Sequence, residues 1–229
     1  MVVTLAITFV SLGMWQLRRN DERRLDNAVG DARISEEATS LLTLIEGAGA
    51  DVVTLEYRRV SVTGVFDPAN EVLIRSQVSL GNAGFHVVTP LVLPGGEAVL
   101  VNRGWIPLVL DQVPVGDAPP PQGEVTVEGW IHRSQTRGAF GPTDPPDGRL
   151  TTLNRVDVDR IAAQVPYQVV PVYLVEIAAS GGALPTPVAH PAFDDNGPHL
   201  AYAIQWFGFA VVGLVGYGFL IRRSLGVEP

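Results

Sequence analysis

A chain of 229 residues has room for one domain of ordinary size together with membrane segments. Its formal charge of -8 argues against nucleic acid as a partner, because phosphate backbones call for clustered positive charge. Cysteine is absent, which removes disulfides, thiolate chemistry and cysteine-based zinc or copper sites together.

Residues 2–17, VVTLAITFVSLGMWQL, are apolar and end at Arg18 and Arg19. A helix over this run reaches about 24 Å, short of a bilayer core of about 30 Å. No basic segment precedes it and no A-x-A site follows, so a cleaved signal peptide fits poorly. It reads as an uncleaved first transmembrane helix over residues 1–17, with Trp15 at the interface and a start upstream of Met1. Residues 20–33 are charged and continue as a helix, and Ser35 is the expected N-cap of a short helix carrying Leu41, Leu42, Leu44 and Ile45.

Beyond residue 52 the period changes. Val60, Val62 and Phe66 alternate with Arg59, Ser61 and Thr63, the pattern of a half-buried strand. A turn at Asp67-Pro68-Ala69-Asn70 is expected to pair it with residues 72–76. Residues 85–93 and 97–105 form a hairpin around Pro94-Gly95-Gly96, and further strands cover 125–131 and 169–177. Arg58 and Arg59 alternate, so at most one points inward. Trp105 is expected as a core anchor. Two Pro-rich connections, 113–123 and 141–148, intervene, the first expected as an extended surface loop. Residues 157–165 read as a short helix stopped by Pro166. Residues 18–198 therefore predict a mainly antiparallel, barrel-like β domain with a few short helices.

The last segment is the most apolar. Residues 200–221 carry no charge, and a helix over them reaches about 33 Å, enough to span. Residues 199–221 are a second transmembrane helix, with residues 222–229 as a cytoplasmic tail. His199, Tyr202 and Trp206 fall on one helix face at its mouth. The basic residues Arg18, Arg19, Arg23 and Arg24 and the pair Arg222 and Arg223 cannot all lie inside with two spans. Long intervening loops translocate regardless of charge, so the middle is placed outside and both termini in the cytoplasm. This is a multi-pass protein of the inner (cytoplasmic) membrane, in contact with the lipid bilayer.

Polar residues do not converge on a catalytic pattern, and no enzyme is expected: G-x-S-x-G, H-E-x-x-H and a phosphate-binding Gly loop are all missing. Copper transfer lacks its soft ligands, since both methionines, Met1 and Met14, lie in the first apolar run. Asp144 and Asp147 read as solvated. His190 and His199 are a weak candidate pair for a metal across a Pro-rich tether.

Five segments carry a likeness. LGMWQLR at 12–18, YRRVSVTGVFD at 57–67, GFHVVTPLVL at 84–93, VLVNRGWIP at 99–107 and HLAYAIQWFGFA at 199–210 stand in the order of one family. The chain resembles the Surfeit-locus-one (Shy-type) proteins. The resemblance implies an accessory or assembly factor for haem–copper cytochrome c oxidase, partnered with its catalytic subunit, assisting haem a insertion or steadying the core. The alternative it leaves open is a permanent structural subunit without a ligand. It also implies haem a as cofactor with His199 as ligand and Tyr202 and Trp206 packing on the porphyrin. The same three residues equally suit an interfacial anchor whose histidine bonds a helix-end group.

Overall fold

The computed structural model describes residues 1–49, 51–136, 141–177, 183–189, 192–193, 195, 197–224 and 226. The chain forms two compact units, one of Arg33–His190 and one of Met1–Ala32 with Pro191–Pro229.

The larger unit is built on strands β1 (Thr39–Ser40), β2 (Arg59–Phe66), β3 (Val72–Ser79), β4 (Asn82–Val92), β5 (Ala98–Pro107), β6 (Glu124–Arg133), β7 (Thr152–Leu153) and β8 (Val169–Glu176). The neighbours β2, β6, β8, β5 and β4 close into a five-stranded barrel where Val65 meets Val92 and Phe66 meets Leu91. β2 carries the expected alternation: Val60, Val62 and Phe66 are buried and Thr63 and Val65 face out. β5 breaks alternation because both of its faces are covered. Its Val99 and Val101 join the barrel interior with Leu91, Ile131 and Leu174. Its Leu100 packs on the other side with Ile74, Val88 and Ile161, the last from helix α3 (Val158–Ala162).

The sheet is mainly antiparallel, as expected, with parallel pairings at β5–β8, β1–β2 and β3–β7. Two expectations are corrected. β3 does not fold back on β2 but pairs antiparallel with β4. Both edges of β2 are already taken, by β6 and by β4 at the closure, so β3 has to continue on the far side of β4. Helix α2 (Leu41–Ala48) is capped at Ser40 rather than Ser35, because Thr39 and Ser40 are extended beside Val60 and Ser61. α3 does start as read, with the Asp157 side chain accepting from the Arg160 N–H at 3.1 Å.

The Pro-rich connection after β5 is not simply a surface loop. Pro119 is exposed, but Val115 and Ala118 are buried. Glu71 and Arg103 hold them there. The Val115 N–H donates to Glu71 Oε1 at 2.8 Å, and Arg103 Nη2 donates to the Ala118 carbonyl at 2.6 Å. Arg103 Nη1 lies 3.0 Å from Glu71 Oε2, with 3% and 0% of the two side chains exposed. Thr89 Oγ1 donates to the same carboxylate oxygen at 2.7 Å. Both Glu71 oxygens and both terminal nitrogens of Arg103 have partners, the condition under which a buried ion pair is tolerated.

The smaller unit holds helices α1 (Val2–Ile34) and α4 (His199–Ser224). α1 runs through the charged segment without a break, so its apolar first half and polar second half are one helix of 33 residues. Among the described residues α4 is the one helix both long and apolar enough to cross a membrane. Where the two helices meet, the contacts are made by small residues and rings. Ala6, Gly13, Ala203 and Ala210 are buried. A Cβ on Gly13 would come 2.6 Å from the Phe207 ring, so only glycine lets that ring seat as it does. Phe9 stacks on Trp206 at 5.6 Å.

Candidate functional site

α4 begins with His199, one turn after the chain leaves Gly197, which sits at φ +71°. A side chain at residue 197 would put its Cβ 3.5 Å from the His199 Nε2. Glycine there satisfies the left-handed backbone and leaves that edge of the imidazole open. The other ring nitrogen is engaged: His199 Nδ1 lies 2.9 Å from Gln16 Oε1 of α1. An amide oxygen only accepts, so Nδ1 carries the proton and donates. Nε2 is then left with its lone pair. A histidine whose Nδ1–H is held by a carbonyl-type oxygen is the arrangement that orients Nε2 towards a metal.

The three residues of the expected site are not equally placed. His199, Ala203, Trp206 and Ala210 fall in one stripe at i, i+4, i+7 and i+11, and of these Ala203 and Ala210 are fully buried. Trp206 is engaged by Phe9 and by Phe209, at 5.6 and 5.9 Å between ring centroids. Tyr202 stands outside the stripe and is 48% exposed. Gln16 is the residue that sequence reasoning passed over. Within LGMWQLR its one local signal is a polar side chain in an apolar run.

Other residues singled out in the sequence serve structure. Arg58 and Arg59 pair with Glu36 and Glu128 at 3.2 and 2.7 Å on the barrel surface, and neither points into the core. Asp144 is not merely solvated, since it accepts from the backbone and side-chain nitrogens of Asn154 at 3.1 and 2.6 Å. Trp105 is only partly buried. Its indole lies over Gly84, where a Cβ would come 2.5 Å from it, and it lines a cleft instead of filling the core. His190 lies outside the described residues. Among the described residues no cluster of three or more His, Asp or Glu side chains could hold a metal ion.

Comparison with known proteins points one way. The SURF1 family profile matches residues 3–211 of this chain. A protein of Mycobacterium tuberculosis described as an uncharacterized SURF1-like protein is 30% identical over 220 residues, covering 96% of this chain and 80% of that protein. A SURF1-like protein of Monosiga brevicollis is 28% identical over 95% of this chain and 85% of its own length. One of Rickettsia conorii is 27% identical over 97% and 91%. The family expected from the five sequence segments is the family found.

Proposed function

We propose, from the premise that this chain belongs to the SURF1 family, that it is an assembly factor of cytochrome oxidase which presents haem a to the catalytic subunit. In this reading α1 and α4 both cross the membrane and the barrel lies outside the cytoplasm. The observation that supports it is the His199–Gln16 pair, which leaves one imidazole nitrogen with a free lone pair at the start of an apolar helix.

The residues present would hold a haem through one imidazole nitrogen. When bound, a haem supplies an iron that accepts an imidazole nitrogen. His199 Nε2 would be that ligand. Gln16 fixes the ring orientation and keeps the proton on Nδ1. Gly197 keeps the approach clear. Trp206, already packed on Phe9, holds the helix pair at this level, and Tyr202 is the exposed ring available to a porphyrin edge.

The test is an absorption spectrum of the protein purified from a host that makes haem a. Wild type should carry haem, and His199→Ala should lose it while still inserting and accumulating. Gln16→Leu should weaken retention about tenfold, in line with loss of an outer hydrogen-bond partner to a ligating histidine. Haem-free wild type, or full retention in His199→Ala, removes His199 as ligand. Haem-free wild type found in equal stoichiometry with the mature oxidase would make this chain a structural subunit.

A further inference from the structure

β5 and β8 run parallel side by side as far as Asn102 and Val175, and then they part. β8 stays with β6, where Glu176 faces Gly129. β5 turns through a bulge at Gly104 and takes a different neighbour, Thr186, whose N–H and C=O pair with those of Trp105 at 2.7 Å each. Gly104 makes this possible, being at φ +132° with the Thr186 carbonyl oxygen 2.4 Å from where a Cβ would stand. The parting opens a cleft of about 640 Å³ in the barrel unit, lined among others by His86, Trp105, Trp130, Glu176 and Val188.

The polar groups of the cleft have fixed roles. Gly104 N–H donates to Asn102 Oδ1, so Asn102 turns its amide nitrogen to His86 Nδ1, at 3.1 Å. His86 Nδ1 therefore accepts and Nε2 carries the proton. Burial holds this ring neutral, with its pKa pushed down to about 4. The Trp105 Nε1–H is buried and has no acceptor among the described residues. Opposite these donors is one carboxyl, Glu176, for which no hydrogen bond or ion pair is found among the described residues. Burial raises its pKa, against the pull of Arg103, but the Arg103 guanidinium is already matched by Glu71. Among the described residues the cleft lining contains no Arg, and the Glu176 carboxyl stands beside Trp105, Trp130, Ile177 and Val188. Its natural complement is an organic cation with acceptors beside it.

The rim indicates what presents that cation. β7 pairs with β3 only at Leu73 and Ile74, so along Gln77, Val78 and Ser79, which line the cleft, the outer edge of β3 has no strand beside it among the described residues. An open edge offers backbone pairing to an extended chain.

We infer that this cleft docks an extended segment of a partner polypeptide, with an arginine or lysine side chain seated against Glu176 and backbone carbonyls taking the Trp105 and His86 N–H groups. The partner is thus a basic, extended peptide, and this site is independent of the haem reading above.

The full chain in detergent micelles, labelled with 15N at its four tryptophans, gives one indole N–H signal for each. The probe is the acetylated, amidated pentapeptide Ala-Val-Arg-Val-Ala, with its citrulline counterpart, which keeps the shape and loses the charge. The arginine peptide should shift the Trp105 signal saturably, that signal being identified by its loss in Trp105→Phe. The citrulline peptide should bind at least about tenfold more weakly, as should the arginine peptide to the isosteric variant Glu176→Gln, since both remove a charge-assisted bond. No Trp105 shift at millimolar peptide, or equal binding by Glu176→Gln, overturns the inference. So does a shift produced by ethanolamine phosphate and not by the peptide, which would make the cleft a lipid headgroup site.

Discussion

The barrel unit and the helix pair are built inside out with respect to each other. The barrel hides its aliphatic residues and, with them, one fully satisfied ion pair. The helix pair does the reverse. Val211, Val212, Val215 and Leu220 of α4 are 60–71% exposed, while the residues it buries are Ala203 and Ala210. Water drives apolar burial, so a water-facing unit fills its core with Val, Leu and Ile. Lipid gives no such drive, and helices in it associate through small residues that let backbones come close. Exposed aliphatics with buried alanines are what α4 presents as a helix long and apolar enough to cross a membrane.

The sharpest way to break that contrast is at the buried ion pair. Arg103→Ala or Glu71→Ala leaves a charge buried and alone, and each should destabilise the barrel by about 3–5 kcal/mol. Replacing both, as Arg103→Met with Glu71→Leu, should cost less than either single change. Urea unfolding of the full chain in micelles reads this out, and single variants with unchanged midpoints would remove the network as a structural support.

Acid should act on the barrel. His86 and His132 are both held near pKa 4 by burial, against an ordinary value of 6.5. The folded barrel therefore binds fewer protons than the unfolded chain between those values, so stability is full above about pH 6.5 and falls as pH drops towards 4. His86→Gln should flatten part of that slope in urea midpoints taken at several pH values. A wild-type midpoint independent of pH over this window would count against buried neutral histidines.

In the helix pair, enlarging a small residue should do what truncation does in the barrel. Gly13→Leu has no room beside Phe207, and should destabilise the α1–α4 contact by about 1–3 kcal/mol. Cross-linking between cysteines introduced at residues 6 and 210, which the Gln16–His199 and Phe9–Trp206 contacts bring to the same level, would report it as a drop in yield. Unchanged yield would mean the small-residue contact is not what holds the helices.

The smallest effect is expected at Trp105. A buried Trp→Ala costs about 3–5 kcal/mol, but Trp105 lines an open cleft and should cost clearly less. A loss at the upper end of that range in thermal unfolding would return it to the core.

Patterns confined to one element were readable before folding. The alternation of Val60, Val62 and Phe66, the β4–β5 hairpin, the short helix starting at residue 157 and the uncharged length of α4 each depend on spacing within a few residues, which secondary structure translates directly into a face or an end. His199 was legible in the same way, as a polar residue at a helix mouth. Its tautomer was not, because Gln16 stands 183 positions away in sequence. Nor was the ion pair of Arg103 with Glu71, which is 32 positions distant and sets the course of the Pro-rich connection. The side of β4 on which β3 pairs and the cleft beside Trp105 had no local signal either. They follow from which edges the closed barrel leaves free, and a barrel's closure is a property of all its strands at once.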